Sequence, residues 1–393
     1  MQNDKRKLEL AHIFRKYGEN YRRNHFLSTE QSKTMHHIEI CRTAVLGGHS
    51  EACDHCGFKQ NSYNSCRDRH CPKCQTLVKE KWLNSRKSEL LPCGYFHNVF
   101  TLPHELNALI LSNRKVMLAI LFTAAKETLQ AFAGDPQWRL VGQLGFISVL
   151  HTWNQKLMDH FQLHCIIPAG VLSFDKTKWV AARDKYLFTV ESLAKEFKKR
   201  YLRKLEKIYE QENLCFHGRA FDFADKQIFK QLIRTLRDKQ WLAYSKQPFG
   251  GPEQVLEYLG RYTHRVAITN NRIISIESGR VTFSYCDRSD DDKIKELSVT
   301  AEEFIRRFLL HILPGGFMKI RYYGFLAHAN KKESIPLLRQ LINPDAEFVE
   351  KLMETVEEMM LRLTGVDLSL CPECGKGKMV HIEDLPNLLL DTS

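Results

Sequence analysis

The chain has 393 residues, of which 43% are hydrophobic, so it holds enough apolar sequence for two or three packed domains. No stretch reaches the roughly 18 uninterrupted apolar residues of a membrane span. The start, MQNDKRKLEL, has no signal-peptide hydrophobic region. These features predict a globular protein of the cytoplasm. The formal net charge of +12 favours a polyanionic partner, with nucleic acid ahead of an anionic membrane surface.

Helical and strand-like patterns both occur along the chain, which predicts an α+β fold. The predicted helices cover residues 5–40, 105–132, 176–240, 252–263, 301–312 and the tail from about 333. The predicted strands cover residues 95–102, 146–153, 160–171, 241–246, 272–276, 281–285 and 317–322. We expect two hairpins, one formed by 146–153 with 160–171 and one that turns at Ser278 and Gly279.

Changes in composition divide the chain into three predicted domains. Residues 1–92 hold an N-terminal helix and a Cys- and His-rich zinc-binding domain, where metal is expected to replace a hydrophobic core. Residues 93–340 form a mixed domain with residues 176–240 inserted as a basic helical segment. Residues 341–393 are a helical tail with a Cys-X-X-Cys knuckle.

Twelve cysteines in a reducing cytoplasm are better explained by metal than by disulfides. The pair Cys53 and Cys56 is separated by 14 residues from the pair Cys71 and Cys74, a spacing typical of four-cysteine zinc sites. We therefore expect these four thiols to bind one structural Zn²⁺ ion.

Further ligand-type residues remain outside that site. Four lie in the same stretch and would suffice for a second, interleaved zinc site: Cys41, His49, Cys66 and His70. Near the other end, Cys371 and Cys374 supply half a zinc site, which His381 or a distant residue would have to complete.

The segment 160–164 has polar side chains at alternate positions. On a strand His160, Gln162 and His164 point the same way, so three nitrogen or oxygen donors converge. His151 on the neighbouring strand can join them around a divalent cation. The competing interpretation is an ordinary strand face whose histidines are solvated or hydrogen-bonded.

Two tyrosines, Tyr258 and Tyr262, share a face of the predicted helix 252–263 because they are four residues apart. Residues with phosphate-binding charge surround them in the sequence: Arg261, His264 and Arg265. A tyrosine with a pKa near 10 is a weak nucleophile at neutral pH, so a metal that polarises a phosphate complements it. The combination indicates covalent phosphodiester cleavage, whereas the competing interpretation is an aromatic packing pair.

A basic helix face within 176–240 is a further expected DNA contact. It carries Lys198, Lys199, Arg200, Arg203, Lys204 and Lys207. An ordinary solvated face of an amphipathic helix is the alternative.

The chain resembles the rolling-circle insertion-sequence transposases of the HUH type, which have two tyrosines and an N-terminal zinc-binding domain. The matching stretches are NSCRDRHCPKCQ, YFHNVFTLPHELN (95–107), HTWNQ (151–155), FGGPEQVLEYLGRYTHRVAITN (249–270) and IRYYGFLA (320–327). The resemblance implies an HUH endonuclease-type antiparallel sheet with flanking helices. It also implies Mg²⁺ or Mn²⁺ at the HUH strand, and Tyr258 or Tyr262 attacking DNA to leave a 5′-phosphotyrosine.

One position departs from the family pattern, because Gln162 stands where the first histidine of the triplet is expected. A glutamine oxygen still suits Mg²⁺ or Mn²⁺, and His160 can compensate. We expect the partner to be single-stranded or hairpin DNA at the element ends, in the nucleoid of a bacterial cytoplasm, with no membrane partner. Two rivals remain: a catalytically impaired, zinc-dependent DNA-binding protein, and an RNA-processing enzyme.

Overall fold

The computed structural model describes residues 8–182, 187–249, 254–255, 260, 266–345 and 354–389, with the backbone alone for 246–249. The helices are α1 (Leu10–Asn24), α2 (Thr29–Ile40), α3 (Pro72–Lys87), α4 (Asn107–Ser112), α5 (Arg114–Gly134), α6 (Val190–Glu210), α7 (Lys226–Asp238), α8 (Ala301–Leu309), α9 (Lys331–Ile342) and α10 (Val356–Thr364). The strands are β1 (Gly48–Cys53), β2 (Lys59–Tyr63), β3 (Tyr95–Thr101), β4 (Phe146–Trp153), β5 (Asp159–Pro168), β6 (Gly170–Leu172), β7 (Trp179–Ala181), β8 (Ala243–Phe249), β9 (Ile273–Glu277), β10 (Arg280–Asp287), β11 (Lys293–Thr300), β12 (Ile320–Tyr323) and β13 (Met379–Leu385). The mixture of helices and antiparallel sheets confirms the α+β class.

The chain forms two compact units that do not follow its linear order. The first contains Met1–Ser85, His264–Ile312 and Glu350–Ser393, and the second contains Arg86–Thr263 and Leu313–Val349. This division differs from the predicted domains, because 264–312 joins the N-terminal part of the chain instead of the central domain. The stretch from β9 to α8 supplies packing partners for α1, a tertiary contact that composition does not reveal.

The first unit has two three-stranded antiparallel sheets, in the orders β13-β1-β2 and β11-β10-β9. Helix α1 packs against α2 and α8, where the rings of Phe14 and Phe308 meet edge to face at 5.4 Å. Ser278 and Gly279 both have positive φ, which suits a two-residue hairpin turn. The predicted β9–β10 hairpin is therefore confirmed.

The second unit is built on a five-stranded antiparallel sheet in the order β12-β4-β5-β3-β8. The predicted hairpin of β4 and β5 is confirmed, with Val149 opposite His164 and His151 opposite Gln162. One sheet face contributes a row of buried side chains to a core shared with α5 and α6: Phe96, Phe100, Phe146, Phe161 and Leu163. The opposite face of the sheet carries the remaining side chains of the strands, including those of the histidines.

Two helices show how the sequence pattern translates into packing. Among the described helices, α5 alone is long and apolar enough to cross a membrane by length and composition, yet most of it is buried within the fold. The predicted helix 105–132 is interrupted at Asn113, whose side chain donates to the carbonyl oxygen of Cys215 at 2.8 Å. An asparagine that bonds the backbone in this way competes with the helix. Helix α6 buries one apolar face, as predicted.

Candidate functional site

The sheet face opposite the core carries the predicted metal-binding side chains. Gln162 of β5 lies between His151 of β4 and Thr101 of β3, and His164 lies between Val149 and Val99. The intervening side chains of β5 belong to the core. The predicted alternation of polar and core residues along β5 is therefore confirmed.

His164 is 5% exposed and forms a pair with His97 of β3. The Nδ1 of His164 lies 3.0 Å from the Nε2 of His97, and the two rings are parallel within 2°. If His164 donates its Nδ1 proton to His97, its Nε2 keeps a lone pair suited to a metal ion. The ligands predicted from the sequence did not include His97. A signal was present, because His97 stands between Tyr95 and Val99 on one face of β3, as His164 does among its alternate neighbours on β5.

Gln162 is oriented by its neighbour on β3. Its Nε2 donates to the Thr101 hydroxyl at 3.1 Å, so its carbonyl oxygen is left as the acceptor end of the amide. The His151 ring lies 5.8 Å from the His164 ring and contacts Trp153 edge to face at 4.3 Å. Gln162 and His151 therefore flank His164 with an oxygen donor and a nitrogen donor.

His160 lies nearer the end of β5, where it lines a pocket of about 290 Å³ with Lys239 and Trp241. Within the described ranges, the groups of three or more His, Cys, Asp or Glu ligand atoms close enough to hold a metal are two cysteine clusters. The histidine face alone is therefore not a closed metal site of the kind that thiols form.

The predicted nucleophiles and the basic residues beside them lie outside the described residues: Tyr258, Arg261, Tyr262, His264 and Arg265. The beginning of the same segment is described. Val255 is helical and fully buried, and it lines a small pocket with Ile147, Ile166 and Tyr322. Ile166 follows His164 by two residues on β5, so Val255 lies on the histidine-bearing face of the sheet.

Other tyrosines of the second unit have environments that disfavour a nucleophile. Burial raises the pKa of Tyr95 and of Tyr201, and raises the pKa of Tyr323 to about 12. Tyr244 of β8 differs, because it is 55% exposed and its ring lies 6.2 Å from that of His97. Tyr244 is thus an exposed tyrosine beside the histidine face, and it serves as a control when the role of Tyr258 and Tyr262 is tested.

The basic face of α6 is partly used by the fold itself. Lys198 Nζ donates to the backbone oxygens of Arg237 at 2.6 Å and Lys239 at 3.1 Å, at the end of α7. Lys204 forms an ion pair with Glu127 of α5 at 2.8 Å. Arg200 pairs with Glu196 on its own helix. The remaining basic side chains of the face are exposed: Lys199, Arg203 and Lys207.

The first unit contains two clusters of four thiols, and the predicted grouping of them is wrong. One cluster consists of Cys41, Cys66, Cys71 and Cys74, and the other of Cys53, Cys56, Cys371 and Cys374. The two N-terminal Cys-X-X-Cys pairs therefore belong to different clusters. Spacing along the chain identifies each pair but does not determine which pair the fold brings beside it.

The distances within both clusters fit tetrahedral zinc. Thiolates at about 2.3 Å from a zinc ion lie about 3.8 Å apart. The sulfur of Cys74 lies 3.6 Å from those of Cys41 and Cys66. In the other cluster the pairs Cys53–Cys374 and Cys56–Cys371 are each 3.7 Å apart. A disulfide would need about 2.05 Å, so these clusters have the dimensions of metal sites.

Hydrogen bonds lower the pKa of at least one thiol in each cluster, while contacts with Cys41 raise the pKa of Cys66 and of Cys71. A hydrogen bond from the backbone amide of Gly377 is the main cause that lowers the pKa of Cys374 to about 6. A hydrogen bond with Cys66 is the main cause that lowers the pKa of Cys41 to about 7. Each cluster thus contains a thiol prepared to lose its proton.

Three histidines proposed as zinc ligands lie outside both clusters. His49 pairs with Glu51 at 3.1 Å, and His381 pairs with Asp384 at 3.0 Å. The backbone amide of His70 donates to Asp68. Cysteines complete both sites, so the predicted contributions of these histidines are corrected.

A family model described as a transposase zinc-binding domain matches residues 13–102, and one described as a putative transposase matches residues 145–334. The putative transposase y4qJ of Sinorhizobium fredii is 44% identical over 378 residues, which are 95% of each chain. The chain belongs to this transposase family. The transposase for insertion sequence element IS801 of Pseudomonas savastanoi pv. phaseolicola is 25% identical over 308 residues, 75% of this chain and 70% of that one. No solved structure matches the chain.

Membership of the transposase family confirms the resemblance drawn from the sequence motifs. Transposases cleave and join DNA strands, so DNA is the partner class and strand transfer is the general activity. The zinc-binding match contains the whole cluster around Cys41 and Cys74. Neither match includes Cys371 or Cys374, which the second cluster needs.

Proposed function

We propose that this transposase nicks single-stranded DNA at the ends of its element through a tyrosine nucleophile assisted by a divalent metal ion. The observation that carries the proposal is the face shared by His151, Gln162 and His164, with Val255 packed on the same side. This face would belong to an HUH-type sheet. Val255 begins the segment that leads to the paired tyrosines.

The proposed ligands are the Nε2 of His164, the carbonyl oxygen of Gln162 and His151, with His160 as a further donor. A bound Mg²⁺ or Mn²⁺ ion would polarise the scissile phosphate and balance the charge that develops during attack. His97 would hold His164 in the tautomer that presents Nε2. Thr101 would hold the amide of Gln162 so that its oxygen faces the ion.

In the proposed reaction the hydroxyl of Tyr258 or Tyr262 loses its proton and attacks the scissile phosphorus. The bond from phosphorus to the 3′-oxygen breaks, which leaves a 5′-phosphotyrosine and a free 3′-hydroxyl. Attack by the 3′-hydroxyl of an acceptor strand reverses the chemistry and transfers the strand.

DNA binding would be shared by several basic groups. Arg261, His264 and Arg265 would contact the phosphates next to the tyrosines, and the zinc-binding domain would recognise the folded or single-stranded element end. Exposed Lys199 and Arg203 on α6 would add contacts with the DNA backbone. Lys198 is a weaker choice, because its ammonium group caps α7. The protein would work in the bacterial cytoplasm in association with the nucleoid.

The direct test is a covalent adduct. Purified protein is incubated with Mn²⁺ and with single-stranded oligonucleotides that tile the DNA flanking the gene, and a band resistant to SDS is sought. The expected adduct disappears when both Tyr258→Phe and Tyr262→Phe are present. Tyr244→Phe is the matched control, because that tyrosine is exposed beside His97, and its adduct should persist. An adduct that survives the double variant contradicts the proposal.

Gln162 supports a second function, that of a zinc-dependent DNA-binding protein with impaired catalysis. Replacement of an imidazole by an amide weakens the predicted ligand set for a divalent ion. Under this alternative the protein binds the oligonucleotides but forms no adduct at any Mn²⁺ or Mg²⁺ concentration. Preference for RNA over DNA of the same sequence in competition would instead favour an RNA-processing enzyme.

A further inference from the structure

The second thiol cluster joins segments from opposite ends of the chain. Cys53 and Cys56 lie at the turn between β1 and β2, and Cys371 and Cys374 lie in the loop before β13. Strand β13 pairs antiparallel with β1, and Met379 lies opposite Cys53. The strand pairing thus brings the C-terminal loop beside the N-terminal one.

Both loops have the backbone geometry of zinc knuckles. The sulfur of Cys53 accepts hydrogen bonds from the backbone amides of His55 and Cys56, each at 3.4 Å. The sulfur of Cys374 accepts one from the amide of Gly377 at 3.5 Å. Amide hydrogen bonds to sulfur stabilise thiolate ligands, so both loops are shaped around ionised sulfur rather than around a packed apolar side chain.

The two knuckles are also fitted to each other. The amide of Lys378 donates to the Asp54 carboxylate at 2.8 Å, and the Lys378 oxygen accepts from the amide of Asp54 at 3.1 Å. A Cβ atom on Gly377 would lie 2.4 Å from the sulfur of Cys53 and 2.6 Å from the Cβ of His55. Only glycine therefore allows this approach of the two loops.

Apolar packing holds β13 weakly. Val380 and Ile382 are 52% and 47% exposed, and the strand has no fully buried side chain. Cys371, by contrast, is 1% exposed and lies at the centre of the junction. Besides the backbone pairing with β1 and the hydrogen bond to Asp54, the cysteines are therefore the side chains placed to fix this segment.

We propose that Cys53, Cys56, Cys371 and Cys374 bind one zinc ion and complete a zinc ribbon assembled from both ends of the chain. Four thiolates in a tetrahedron suit zinc, and β13-β1-β2 supplies the three-stranded sheet of such a ribbon. The ion bound by Cys41, Cys66, Cys71 and Cys74 is separate and needs no C-terminal residue. The zinc ribbon therefore fixes the C-terminal segment to the N-terminal sheet, independently of any role in DNA cleavage.

Zinc content distinguishes two groupings of Cys53 and Cys56. In the proposed one they share a zinc ion with Cys371 and Cys374, and in the one that chain spacing predicts they share it with Cys71 and Cys74. Wild-type protein purified without chelator should contain two zinc ions per chain by mass spectrometry. Cys371→Ser with Cys374→Ser should contain one, and Cys53→Ser with Cys56→Ser should also contain one. All four substitutions together should still leave one zinc ion, because both pairs lose the same ion. Cys215→Ser, which changes an exposed cysteine of the second unit, should retain both.

The proposal is overturned if Cys371→Ser with Cys374→Ser keeps two zinc ions. It is also overturned if the variant with all four substitutions keeps no zinc, or if the wild-type protein contains iron. Gly377→Val provides a test that leaves every ligand in place, and it should lose the same single ion. Limited proteolysis after Gly365 should release the C-terminal peptide from the zinc-deficient variants and not from the wild type. Equal protease resistance in all of them contradicts the role of the ion in holding the segment.

Discussion

The pair of His97 and His164 offers a specific test of the proposed divalent site. His97→Phe keeps a buried aromatic ring on β3 but removes the nitrogen 3.0 Å from His164. His164 would then lose the partner that fixes its tautomer and ring orientation. Loss of such a partner of a metal-binding histidine costs about 10–100-fold in metal affinity. That range corresponds to about 1.4–2.7 kcal/mol.

Mn²⁺ binding can be followed by the electron paramagnetic resonance signal of free Mn²⁺, and adduct formation by titration with the same ion. We expect the half-saturating Mn²⁺ concentration to rise by about 10–100-fold in His97→Phe. Adduct formation at saturating Mn²⁺ should change much less, because His97 positions a ligand and does not touch DNA. A purely structural role would lower the amount of folded protein without moving the half-saturating concentration.

His97→Gln is the matched control, since the end of a glutamine side chain can replace the ring nitrogen as a hydrogen-bond partner. It should restore most of the Mn²⁺ affinity that His97→Phe loses. Unfolding in urea checks that both variants are folded, because a buried donor without a partner costs about 1–3 kcal/mol. Unchanged Mn²⁺ affinity in a folded His97→Phe variant refutes the assignment of His164 as a ligand held by His97.

Four further substitutions separate packing, DNA binding and metal binding. Phe197→Ala, which empties a fully buried site on α6, should lower the free energy of unfolding by about 3–5 kcal/mol in urea, and a loss below about 1 kcal/mol contradicts the described core. Lys198→Gln should lower the free energy of unfolding by about 0.5–1.5 kcal/mol through loss of its hydrogen bonds to two backbone oxygens, while oligonucleotide affinity stays unchanged. Arg203→Gln should weaken oligonucleotide binding and leave the free energy of unfolding unchanged. The slope of log affinity against log salt concentration should fall in magnitude by about one. Gln162→His should lower the Mn²⁺ concentration needed for adduct formation, and an increase would show that the amide oxygen is the better ligand.

Sequence periodicity predicted the parts of the fold that depend on local pattern. The β4–β5 hairpin follows from alternating residues on both strands, and the β9–β10 turn follows from Ser278 and Gly279. The apolar stripe of α6 was visible because Phe197 and Tyr201 recur at helical spacing. In each case the pattern that predicts the structure lies among residues that are close together in the sequence.

Long-range pairing was not accessible from local pattern. Cys53 and Cys371 are brought together by the pairing of β1 with β13, two short strands with little apolar alternation. His97 was missed because a single histidine on a strand has no local partner, and His164 meets it only across the sheet. The joining of 264–312 to the N-terminal unit depends likewise on tertiary packing.

The most direct test of the central claim is to map the covalent DNA adduct by mass spectrometry after nuclease and trypsin digestion. Cleavage after Lys246, Arg261 and Arg265 separates the relevant tyrosines, with Tyr258 in peptide 247–261 and Tyr262 in peptide 262–265. Tyr244 falls in peptide 240–246. We predict a nucleotide attached through a 5′-phosphate to the tyrosine of peptide 247–261 or 262–265. An adduct on peptide 240–246, or none with any single-stranded end in the presence of Mn²⁺, would contradict the account.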